Sequence, residues 1–215
     1  MTAPRVSRRE IMIAGGLIAG GYAASRLLQA SAPLGRDVSG NRIAMAALND
    51  PEGPSAGAPQ GGLVMAVYTD YRCPACRQSH RALHRAVADD GDLRLIYKDY
   101  PIFGAISEAA AALAIAAHYQ GRYAVLHDRL MTGPATVEPF DIRAAITAVG
   151  GDWQRLQQDR ATHADAIAQR LSGIATEAFG LGIAGTPAYL IGPMLVNGAL
   201  DAGEFAEAFR LARAL

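Results

Sequence analysis

The chain has 215 residues, 51% apolar and 19% charged, with 20 basic residues against 20 acidic ones. That is enough apolar material for a folded domain of ordinary size, and it excludes wholesale disorder. The balance of charge supplies no basic surface, so nucleic acid is not expected as a partner.

Residues 1–32 read as an export signal or an N-terminal anchor. Arg5, Arg8 and Arg9 precede an apolar run from Ile11 to Ala24. At about 14 residues the run suits a signal core and falls short of the ~20 that a membrane span needs. Ser7-Arg8-Arg9-Glu10-Ile11-Met12 resembles the twin-arginine export motif; an ordinary Sec signal fits as well. Ala30-Ser31-Ala32 has the small residues of a cleavage site, but Pro33 follows, so retention as an anchor stays open. Residues 33–60, with Asp50-Pro51-Glu52-Gly53-Pro54, read as a linker or loosely packed arm.

The domain is expected over 61–215. Leu63 to Tyr68 reads as a buried strand, and a helix follows Cys73-Pro74-Ala75-Cys76 to about Asp89, where Gly91 stops it. Leu93 to Tyr100 is a second strand, so strand, helix, strand suits a parallel pair. Helices are expected from Ser107 to Gln120, Arg122 to Met131, Pro139 to Val149 and Asp152 to Phe179. Thr186 to Gly192 is a strand, Leu195-Val196 a hairpin partner, and Asp201 with Glu204 a capping box for a last helix. A small mixed sheet covered by helices on both faces fits this order.

The two cysteines carry the chemistry. Their count excludes a disulfide-rich scaffold and a four-cysteine zinc site. A bridge between them closes too short a loop to stabilise the fold much. At a helix start the first cysteine meets unpaired backbone N–H groups and the positive end of the macrodipole, which favours a thiolate at Cys73. Cys76, one turn on, is placed to resolve a mixed disulfide. Pro74 suits the first turn, where its missing N–H costs nothing. The pair could instead hold copper for an assembly partner. Cys76 with His80 has helical i, i+4 spacing, but a solvated surface histidine is the simpler reading, and no metal site is expected.

Tyr68-Thr69-Asp70-Tyr71-Arg72-Cys73-Pro74-Ala75-Cys76 resembles the active-site segment of the DsbA-like thiol–disulfide oxidoreductases of the thioredoxin superfamily. Lys98-Asp99-Tyr100-Pro101 resembles the end of their next strand, and Gly185-Thr186-Pro187-Ala188-Tyr189 their cis-proline loop. The resemblance covers about 60–215. It implies an α/β thioredoxin fold with a helical insertion, about 103–183, between the second strand and the cis-proline strand. It implies a cis bond at Pro187, beside Cys73, with Thr186 tuning the thiolate and both residues shaping a substrate groove. It implies no cofactor beyond the Cys73–Cys76 disulfide, exported cysteine-containing proteins as substrates, a membrane redox partner, and a place in the periplasm or cell envelope.

Two departures matter. Pro74-Ala75 replaces the Pro-His of the family's strongest oxidants, so a milder oxidant, a reductase and an isomerase stay open, although a net oxidant is favoured. The strand before the cysteines lacks the buried acid of some relatives. Asp70 is the nearest acid, and it either shuttles a proton for Cys76 or caps the turn into the helix. No dimerisation domain is read, so a monomer is expected.

Overall fold

A computed structural model describes residues 33–215 and, before them, Leu17, Gly20 and Gly21. The export signal or anchor read over 1–32 otherwise lies outside the described residues. Gly35–Leu215 fold as one compact unit. Among the described residues, no helix is long and apolar enough to cross a membrane.

The strands are β1 (Arg36–Asp37), β2 (Ser55–Gly57), β3 (Leu63–Thr69), β4 (Leu93–Asp99), β5 (Ala188–Ile191) and β6 (Met194–Asn197). They form one sheet in the order β1-β6-β5-β3-β4-β2, in which only β3 and β4 run parallel. The helices are α1 (Arg42–Leu48), α2 (Pro74–Asp90), α3 (Ala105–Ala116), α4 (Tyr123–Thr132), α5 (Pro139–Ala148), α6 (Trp153–Thr162), α7 (Ala164–Gly180) and α8 (Ala202–Ala212). A short 3-10 turn, Ala117–Gln120, extends α3. The sheet is the mixed one expected, and α3 to α7 lie between β4 and β5.

Side chains alternate across β3, so its two faces meet different helices. Ala66 and Tyr68 join Ala44 and Ala47 of α1 and Ile174 and Ala178 of α7 in one core. On the other face Tyr189 of β5 meets Phe205 of α8 edge to face, and Tyr97 of β4 meets His84 of α2 and Tyr123 of α4. Strands covered on both faces explain why Ile96 and Lys98 are as buried as Leu95 and Tyr97. The capping box at Asp201 and Glu204 opens α8, whose Phe205, Phe209 and Ala212 are all buried. Burying each phenylalanine contributes about 2–3 kcal/mol.

Two expectations need correction. Residues 33–60 are no loose linker: β1 pairs with β6 at one sheet edge, β2 pairs with β4 at the other, and α1 lies between them in sequence. Strands of two and three residues show no periodicity, and their partners lie far along the chain, so local sequence could not reveal them. The helix expected from Asp152 to Phe179 is two helices, broken at His163. There the imidazole stacks on Tyr119, with centroids 3.7 Å apart and planes 10° apart.

Asp50 ties this arm to the core. Its Oδ2 accepts from Lys98 Nζ at 3.1 Å and from Arg170 at 2.8 Å. Lys98 Nζ also donates to Glu177 Oε2 at 3.2 Å, and Tyr68 Oη donates to Oε1 of the same carboxylate at 2.5 Å. Burial pushes the Asp50 carboxyl up, but Arg170 and Lys98 outweigh it and hold the group below the usual range. Lys98 is thus a buried ion-pair residue.

Candidate active site

The register of the sheet assembles the site. Tyr68 pairs with Ala188 near the end of β3, which places the turn leading to Cys73 beside the loop that opens β5. The Thr186–Pro187 peptide bond is cis. Cys73 Sγ lies 3.2 Å from the Thr186 carbonyl oxygen, so residues 113 positions apart meet.

Cys73 is the N-cap of α2, and its sulfur accepts from the Cys76 N–H at 3.3 Å. Pro74 follows in the first turn, where its fixed φ suits a helix start. Gly91 ends the helix in the left-handed region at φ 69°, a conformation that glycine adopts without a Cβ clash. Both cysteines are free thiols, each 2% exposed. They nevertheless ionise in opposite directions. The Cys76 thiol, the Thr186 side chain and the backbone N–H groups of residues 75 and 76 outweigh burial and lower Cys73 to about 6. Burial, and then donation to Cys73, push the Cys76 thiol far up. The Thr186 hydroxyl is buried without a hydrogen-bond partner, which leaves it free to serve a thiolate.

Asp70 is 2% exposed, and four donors engage its carboxylate. Oδ1 accepts from Arg72 N and Ser107 Oγ, both at 2.8 Å. Oδ2 accepts from Ile102 N at 2.7 Å and Phe103 N at 3.1 Å. Its own carbonyl accepts from Cys73 N at 3.1 Å. The carboxylate therefore fastens the active-site turn to the loop after β4. Arg77 adds a second tie, donating to the carbonyls of Tyr71, Leu130 and Gly133.

A buried cluster behind the active-site helix escaped the sequence reading. His127 Nδ1 lies 2.9 Å from Tyr71 Oη, and His80 Nε2 lies 2.9 Å from Asp128. The His80 and His84 rings are 4.3 Å apart, and Tyr97 packs against His127 at 4.5 Å. Asp99, fully enclosed, accepts from Tyr123 Oη at 2.7 Å, and burial raises it to about 6. The histidines fall on helix faces at i, i+4 spacing, but only the packing of α2 against α4 reveals that those faces meet. Among the described residues, no three His, Cys, Asp or Glu side chains are grouped to hold a metal ion.

Burial lowers all three histidines, His84 to about 4 and His127 well below its ordinary value. Groups held below their unfolded value of 6.5 contribute stability that is present above that pH and is lost as pH falls. The urea midpoint is therefore expected to drop between pH 6.5 and about 4. His84→Phe, which keeps a ring against Tyr97, should make that decline shallower. An unchanged pH profile in His84→Phe would show that His84 contributes nothing to it.

Residues 64–210 match the family model of the DSBA-like thioredoxin domain. The chain belongs to that family. The family includes thiol–disulfide oxidoreductases of this fold. It resembles the crystal structure of a thioredoxin-like oxidoreductase from Silicibacter pomeroyi, with 31% identity and a TM-score of 0.75, over 81% of this chain and 99% of that one. It also resembles a periplasmic thioredoxin-like protein from Salmonella enterica serovar Typhimurium, with 26% identity and a TM-score of 0.70, over 81% and 98% of the two chains. Among curated proteins it is 28% identical over 160 residues to a Na(+)/H(+) antiporter NhaA 1 from Mycolicibacterium gilvum, covering 73% of this chain. The DsbA-like chain spans about a quarter of the length of the curated relatives it matches.

Proposed function

We propose that this chain is an exported thiol–disulfide oxidoreductase that exchanges disulfides with cysteine-containing proteins through Cys73 and Cys76, acting as a net oxidant. The observation that carries the reading is the placement of Cys73 at the N-cap of α2, its sulfur 3.3 Å from the Cys76 N–H and 3.2 Å from the Thr186 carbonyl of the cis-proline loop. A substrate thiolate attacks Cys73 Sγ of the oxidised pair, the Cys73–Cys76 bond breaks, and Cys76 leaves and takes up a proton. A second substrate thiolate then attacks the substrate sulfur of the mixed disulfide and releases Cys73 as its thiolate. Two substrate thiols become a disulfide, and the pair is left reduced. A thiolate that the protein stabilises is a good leaving group, and it favours the reduced pair, so electrons flow from substrate to protein.

Thr186 and Pro187 border Cys73 and form the edge along which a substrate backbone lies. Asp70 serves as the bracket of the turn, since all its hydrogen bonds go to other donors. The disulfide itself is the redox group, with no further cofactor. The periplasmic relative supports the periplasm as the place of work, reached through the N-terminal signal or anchor. The match to part of a membrane antiporter supports a site of action near a membrane, where a redox partner reoxidises the pair.

Equilibration with glutathione buffers tests the direction. A reduction potential near about −120 mV is expected for an oxidant, and a value near about −270 mV would make the chain a reductant. Ala75, whose side chain carries neither charge nor a donor, favours a potential between these two and so a milder oxidant or an isomerase as second reading. Failure to form any reversible disulfide, with copper retained until Cys73→Ser, would replace both readings with metal handling.

A further inference from the structure

Behind the cysteines, a second polar contact joins the active-site helix to the cis-proline strand. Ser79 lies on α2, three residues after Cys76, and is 3% exposed. Tyr189 lies on β5, two residues after Pro187, and is 1% exposed. Their hydroxyl oxygens are 2.7 Å apart. Among the described residues, this is the only side-chain to side-chain hydrogen bond between α2 and β5.

Donor accounting fixes its direction. Ser79 Oγ also lies 3.2 Å from the Ala75 carbonyl and 3.4 Å from the Cys76 carbonyl, and either can accept its proton. Tyr189 Oη has no partner besides Ser79. A buried hydroxyl left without an acceptor is costly, so the arrangement that uses both hydrogens wins. Tyr189 donates to Ser79, and Ser79 donates to the first turn of α2. Burial and the nearby thiols hold the phenol protonated, and its ring is set by Phe205 at 83°. The relay thus runs from a rigid strand into the backbone between the two cysteines.

We propose that Ser79 and Tyr189 are positioning residues that hold the first turn of α2 against the cis-proline loop and thereby keep Cys73 Sγ beside Thr186. The contact is short, buried and bridges the two segments that supply the site. Neither residue reaches the reacting sulfur as nucleophile or acid. The inference rests on Cys73 being the reactive thiolate.

The test is a double-mutant cycle on the reduced protein with Ser79→Ala and Tyr189→Phe, read as the pH dependence of Cys73 alkylation. Tyr189→Phe keeps the ring on Phe205 and removes only the hydroxyl. Each single variant is expected to slow alkylation at pH 6 about two- to threefold by moving the titration upward, with the plateau rate at high pH unchanged. The double variant should match the singles, because the two groups act as one unit. An unmoved Cys73 titration in both singles, with only the melting temperature lowered, would reduce the pair to a packing contact and overturn the proposal. Effects that simply add in the double variant would also overturn it. If the wild-type thiol itself titrates near 9, it is the reading of Cys73 that fails, and the two failures are separable.

Discussion

Cys73→Ser is expected to lower disulfide exchange at pH 7 at least about a hundredfold, whereas Cys76→Ser should leave exchange half finished, with substrate bound to Cys73. The magnitude follows from the two ionisations. A thiol titrating at about 6 is about nine-tenths thiolate at pH 7, whereas one at its ordinary 9.0 would be about one-hundredth thiolate. Cys76, pushed the other way, offers less still. Mass spectrometry of the reduced Cys76→Ser protein with a disulfide-bonded peptide would detect the trapped adduct, formed when the Cys73 thiolate attacks the peptide disulfide and expels the other sulfur as a thiolate. Equal trapping by Cys73→Ser and Cys76→Ser would contradict the assigned roles.

The pair should also differ in titration. The Cys76 thiol is the largest influence lowering Cys73, so Cys76→Ala should move the Cys73 titration upward from about 6 toward 9, and Cys76→Ser, which keeps an O–H donor, should move it less. Stability follows the same sign. A thiol held below its unfolded value favours the reduced fold, fully at pH above about 9, less between 9 and 6, and not at all once pH falls below about 6.

Asp70→Ala is expected to cost about 3–5 kcal/mol of stability, the largest loss from any single polar side chain near the site. Three backbone N–H groups and the Ser107 hydroxyl donate to this carboxylate, and alanine would strand all four in a buried position. Asp70→Asn should cost less, because the amide oxygen still accepts but its nitrogen faces donors. Urea denaturation of the oxidised form measures this without interference from thiol ionisation. A loss below about 1 kcal/mol in Asp70→Ala would mean that water or a rearranged loop replaces the carboxylate. It would then be a peripheral cap and not the bracket of the turn.

How far the sequence could be read depended on the range of each interaction. Local signals carried well. Gly91 stops α2 because it adopts a left-handed conformation cheaply, and Asp201 with Glu204 caps α8 within four residues of each other. The cysteine pair was legible for the same reason: both residues and the N–H groups that serve them lie in one turn. The resemblance of Gly185-Thr186-Pro187 to a cis-proline loop placed a distant segment beside Cys73, and the 3.2 Å approach of Cys73 to Thr186 agrees with it.

Contacts with no local pattern were lost. The arm over 33–60 looked like a linker because strands of two and three residues have no period, and only the free edges of β6 and β4 make them strands. The ion pairs of Lys98 had no local signal, because its partners, Asp50 and Glu177, lie 48 and 79 residues away. The turn capped by Asp70 was a foreseeable alternative, but the loop it also fastens lies more than 30 positions on.

Composition, spacing and helix-end chemistry thus determined that this chain folds, where its reactive thiols stand, and why Cys73 ionises more readily than a free thiol. The tertiary structure alone decided how far the two cysteines diverge. Burial penalises both thiolates, and the balance turns on donors brought from Thr186 and from the partner cysteine. The Cys76 donor already lies in the same turn, whereas Thr186 reaches Cys73 because β3 and β5 pair in one register, and hydrogen-bond energy falls off too steeply with distance for anything but that packing to bring it there.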